Sequence, residues 1–119
     1  MVKEFLTSVL GEIRDCSTLG FEEGKIYLRR EGEPMFVRRY IGGGGLCREV
    51  FSLCIRTGGS GALLDEARDA LLAAPLPPGA ASFDIIKSPH LTNNSAATAR
   101  FEMKCELRYI LPEGGFKTA

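Results

Sequence analysis

Residues 100–111 alternate almost without fault between apolar and charged side chains. Phe101, Met103, Cys105, Leu107, Tyr109 and Leu111 fall on one side, and Arg100, Glu102, Lys104, Glu106 and Arg108 on the other. Successive side chains of a β-strand point to opposite faces, so the segment reads as a half-buried strand, one row in a core and the other facing water or a charged partner. The charged row runs plus, minus, plus, minus, plus. It is nearly neutral and self-complementary, which suits a solvated surface or a subunit contact better than a concave catalytic site.

The rest of the chain divides by its periodicities. Within residues 2–15, Val2, Phe5, Leu6, Val9, Leu10 and Ile13 recur at spacings of three and four, the apolar stripe of an amphipathic helix that Gly11 weakens without ending. Two β-rich runs, 25–30 and 35–41, flank Glu31, Gly32, Glu33 and Pro34, so a hairpin is expected there. Gly42, Gly43, Gly44 and Gly45 then lead into a third strand over 46–56. Phe51, Leu53 and Ile55 occupy one of its faces, and the less clearly polar second face points to a central strand or an interface. A glycine-rich break at 57–61 precedes a helix that Ser60 can cap and that runs to Ala74, where Pro75, Pro77 and Pro78 stop it. A short strand at 82–87 and a polar loop at 88–98 lead into the final strand. The expected fold is α+β: a two-layer sandwich, one domain over residues 1–119, with a mainly antiparallel sheet of four to five strands, two helices on one face and the other face open.

Composition bounds the function. With 119 residues the chain is about one domain, and one core is expected. Its 15 basic and 15 acidic side chains cancel, which argues against net attraction to nucleic acid or to anionic lipid. No apolar run approaches the roughly 20 residues that span a bilayer, and the amino terminus lacks the pattern of a signal peptide, so synthesis in the cytoplasm is expected. Cys16, Cys47, Cys54 and Cys105 contain no CxxC pair and have one histidine, His90, to assist them, so neither a metal site nor a disulfide framework is expected. They read as free cysteines acting as small core residues.

Motifs that carry chemistry fail on context. The run Gly42 to Gly45 lies between two strands with no GK[ST] after it, unlike a phosphate-binding loop, and reads as a hairpin tip. The 57–61 segment does join a strand to a helix, but it lacks a lysine and a full fingerprint. No GxSxG elbow accompanies His90. The adjacent pairs Glu22, Glu23 and Asp65, Glu66 do not converge as acid and base. No catalytic, cofactor-binding or metal-binding residue is expected. Arg29, Arg30, Arg38, Arg39, Arg48 and Arg56 accumulate around the first three strands, as solvated strand residues or as contacts to an acidic partner, for which the planar guanidinium is suited.

The order of elements, the run Arg39, Tyr40, Ile41, Gly42, Gly43, the strand from Arg48 to Arg56 and the closing run from Phe101 to Tyr109 together resemble the tail terminator and minor capsid proteins of tailed bacteriophages and prophages. The likeness covers most of the chain through short motifs. It departs from related members in a compact proline-rich segment after the second helix and in having no tryptophan. The resemblance implies a structural virion protein, not an enzyme and without cofactors, that forms a homo-oligomeric ring, commonly a hexamer. Such a ring caps the tail tube, stops its growth and meets the head-side connector. The implied partners are further copies of the chain, the tail tube protein and the head–tail connector; the implied location is the virion tail, reached from the host cytoplasm during assembly. Arg38, Arg39, Gly42, Gly43, Gly44, Gly45 and Arg48 are the expected contacts to a neighbouring subunit or the tube. A head completion or neck role, a cytosolic α+β ligand-binding domain or enzyme using His90 with Cys16 or Cys54, and a regulatory interaction module are the alternatives.

Overall fold

A computed structural model describes residues 2–16, 23–59, 61–94 and 99–111, the side chains of positions 93 and 94 excepted. The elements run α1 (Val2–Leu10), β1 (Arg14–Asp15), β2 (Tyr27–Arg30), β3 (Met35–Arg39), β4 (Gly45–Thr57), α2 (Ala62–Ala73), β5 (Ala80–Asn94) and β6 (Ala99–Leu111). Six strands form one sheet in the order β1-β2-β4-β6-β5, with β3 also paired to β4. Every pairing is antiparallel except the two-residue match of β1 to β2. This is the expected α+β architecture, enlarged by β1.

The alternation in β6 sorts its two faces as its sequence requires. Met103, Cys105, Leu107 and Tyr109 are buried, and they lie opposite Leu53, Phe51, Glu49 and Cys47 of β4 in an unbroken thirteen-rung ladder. Val2, Phe5 and Leu6 of α1 and Leu64, Ala67 and Leu71 of α2 join the same core cluster, so both helices cover this one face. Phe83 of β5 ties the layers together, with its ring 5.6 Å from that of Phe5, edge-on, and 6.4 Å from that of Phe51. Burying such aromatic rings is worth more than their area alone when they meet edge to face.

Several local expectations give way to tertiary structure. The first helix stops at Leu10, not Asp15, because Gly11 takes φ +84°, a conformation open to glycine, and donates its amide to the Thr7 carbonyl at 2.9 Å. Residues 25–30 and 35–41 do not pair with each other. β2 pairs with Phe51 to Cys54 and β3 with Gly45 to Arg48, so the two line up end to end along the same edge of the long strand β4, and residues 31–34 bridge them instead of forming a hairpin turn. β4 is central, as its mixed second face suggested. Ser60 lies outside the described residues; the residue preceding α2 is Gly61, which makes no side-chain capping bond. Ala74 ends that helix in an extended conformation, φ −74° and ψ 146°, which a residue before proline favours.

The largest correction concerns residues 88–98. The polar loop expected there is, up to Asn94, a continuation of β5, paired with β6 through four register irregularities. Each irregularity shifts the inside–outside pattern, which removes the period of two by which a strand is read from sequence. Pro89 is accommodated because β5 is the outermost strand. Positions 95–98 lie outside the described residues.

Candidate functional site

The sheet face opposite the helices carries a charged array built by β2, β4, β5 and β6. Across one row, Tyr27, Cys54, Glu102 and His90 stand side by side; in the next stand Arg29, Ser52 and Lys104. Arg29 reaches Glu102 at 2.8 Å and Glu31 at 3.1 Å. Ser52 donates its hydroxyl to Glu31 at 2.7 Å. Glu106 takes Arg108 as a hydrogen-bond donor and has Arg48 3.7 Å away. The hydroxyl of Ser52, with the Arg29 guanidinium behind it, holds the Glu31 carboxyl below its ordinary value. The sequence pattern predicted a self-complementary charged row on β6; the neighbouring strands supply its countercharges.

The cysteines and His90 do not assemble a nucleophilic centre. Cys47, Cys54 and Cys105 are buried, whereas Cys16 is exposed, against the expectation that all four fill the core. Cys16 follows β1 at the sheet edge, where only one side of the chain is covered. Burial, with the Glu102 carboxylate nearby, pushes the Cys54 thiol up to about 12, and burial alone does the same for Cys105. A thiol in that state is a poor nucleophile. Cys54 donates to Glu102 at 3.3 Å, and His90, on strand β5 instead of a loop, donates Nδ1 to the Ser88 carbonyl at 2.8 Å. Among the described residues no group of histidines, cysteines and carboxylates could hold a metal ion, and no helix is long and apolar enough to cross a membrane.

The sequence-predicted contact residues separate into three places. Gly42, Gly43 and Gly44, with Tyr40 and Ile41, form the turn between β3 and β4, past the last paired rung of Arg39 with Gly45. The Gly43 amide donates to the Tyr40 carbonyl at 3.2 Å, and Gly42 takes φ +93° at the third position, as a type II turn requires. Gly45 has a structural place: a Cβ there would stand 2.2 Å from the Arg38 carbonyl oxygen, so only glycine lets the two strands meet. Arg48 lies on the open sheet face, away from the turn. Of the tip arginines, Arg39 stacks 4.1 Å over the Phe36 ring, and Arg38 has no ion-pair or hydrogen-bond partner among the described residues.

Two features escaped sequence reasoning. Ile41 is fully exposed at the turn, and Met35, Val37 and Tyr40 of the same hairpin are also exposed. An apolar residue inside a β-rich run is read as core unless the pairing is known. The second is a trough of about 310 Å³ on the open face, between Glu31 and Glu33 on one side and Ile86 on the other, with Val50 and Lys104 between them. It exists because the edge of β4 is shared by β2 and β3, leaving residues 31–34 to form a raised wall, a consequence of pairing that no local pattern carries. No protein-family model matches the chain, and no curated protein matches it.

Proposed function

We propose that this protein is a structural virion component of a tailed bacteriophage or prophage, a tail-terminator-like subunit that oligomerises into a ring, commonly a hexamer. The ring caps the tail tube and joins it to the head connector. The observation that carries the reading is the β3–β4 hairpin, which sets a fully exposed isoleucine and three further exposed apolar side chains beside Arg38 and Arg39. Exposed apolar groups gathered along one hairpin, unlike singly scattered ones, are the kind of surface that marks an interaction site. The charged sheet face, which no other described element covers, adds a second surface, and the resemblance in element order supports the same assembly role. In this reading the partners are copies of the chain, the tail tube protein and the head–tail connector. The protein reaches the virion tail from the host cytoplasm.

Electron microscopy of particles made without this protein tests the proposal. Abnormally long tails without heads are the expected outcome, because tube growth then lacks its stop. Filled heads without tails would assign a neck role, and normal particles would overturn the structural reading altogether.

A further inference from the structure

We infer that the β3–β4 hairpin tip of one copy seats in the open-face trough of a second copy; this rests on the assembly reading above and names the surface that receives the tip. The charges match. The stretch from Met35 to Gly45 contains two arginines and no acid, and Arg38 is exposed with no partner among the described residues. In the trough, Arg48 has Glu106 3.7 Å away and Lys104 makes no ion pair among the described residues, while Glu33, on the wall, is exposed and has no ion-pair or hydrogen-bond partner among them. Arg38 on the tip and Glu33 on the wall, each without a partner among the described residues, carry opposite charges.

The apolar groups match as well. Ile41 and Tyr40 project from the turn, and Met35, Val50 and Ile86 offer apolar surface in the trough. A space of about 310 Å³ equals the liquid volume of roughly ten waters, enough for a branched side chain and a guanidinium to displace them. The occupant has to come from another molecule. Met35, which lines the trough, stands about 13 Å from Arg39 at the far end of β3 at ~3.3 Å per residue, and Ile41 lies beyond it in the turn. Each copy therefore offers a tip at one place and a trough at another. Such a head-to-tail contact closes into a ring if its rotation permits.

Cysteine cross-linking of the concentrated purified chain tests this. In a Cys16→Ser background, which removes the exposed native thiol, one preparation carries Ile41→Cys and the other Ile86→Cys, which lines the trough and leaves Glu33 in place. On mixing in the presence of oxidised glutathione, which takes up the two electrons and the protons of the thiol pair, disulfide-linked dimers should form about tenfold faster than with a control that carries Asp69→Cys on α2 in place of the tip cysteine. Arg38→Glu in the tip partner should abolish that advantage, and adding Glu33→Arg to a full-length Arg38→Glu chain should restore self-association measured by sedimentation. Circular dichroism confirms that each variant is folded. A tip–trough rate no higher than the control, or a double variant that associates no better than Arg38→Glu alone, overturns the inference. The outcome is independent of the tail phenotype: normal particles without the protein would sink the proposed function, while the cross-link alone decides the contact.

Discussion

At Gly45 a single missing methyl group decides whether two strands can approach. Its Cβ position is filled by the Arg38 carbonyl at 2.2 Å and crowded by Phe36 at 3.0 Å, both parts of the β3 side of the hairpin. Gly45→Ala is therefore expected to destabilise the fold by about 3 kcal/mol. Gly42→Ala meets nothing within 4 Å and carries only the strain of its positive φ, about 1 kcal/mol. Urea unfolding of the two variants checks the order; equal losses would refute the steric account. Glu31 offers a second test at this scale. Its folded value lies below its ordinary 4.5, so its contribution to stability is present above that pH and is lost as pH falls through the lower folded value. Ser52→Ala removes the leading cause, so the Glu31 carboxyl should titrate closer to 4.5 in the variant, followed by NMR. An unchanged titration would place the cause elsewhere.

Among the elements, α2 distinguishes burial from mere hydrophobicity. Leu71 is buried in the core, and its neighbour Leu72 is more than half exposed, because adjacent helical positions diverge by about 100°. Leu71→Ala should cost about 3 kcal/mol through lost contacts and the cavity left behind. Leu72→Ala should stay within about 0.5 kcal/mol. Thermal or denaturant melts separate the two; a large loss for Leu72 would mean that this side of the helix is covered in solution. The elements also differ in how far sequence exposed them. β6 was readable residue by residue because strands flank it on both sides and its own run pairs with β4 without a slip. β5 was readable over 82–87 alone, since the two irregularities between Lys87 and Asn93 scatter the apolar positions of the rest.

For the whole molecule, the decisive asymmetry is between a sheet face covered by two helices and a face that no other described element covers. The covered face holds the core cluster; the other holds ion pairs, the trough and, at one end, the projecting hairpin. The molecule is elongated, 55 × 30 × 22 Å, as two thirteen-residue strands paired over their full length require. Contacts between tip and trough would join such bodies through a small, charge-steered patch, so self-association should weaken as salt screens Arg38 from Glu33.

What the amino-acid order determined by itself was the kind of each regular segment and the face it buries: the period of two in β6, the three-and-four stripes of both helices, the proline stop after α2. These depend on side chains close together in the chain, which act through local backbone geometry. The tertiary structure alone decided that β2 and β3 share the edge of β4, that β5 runs on to Asn94, that Ile41 projects and that a trough opens beside Glu33. Those outcomes follow from hydrogen-bond ladders between residues far apart in sequence. A given run can satisfy its backbone groups with any compatible strand, and only the packed chain selects which.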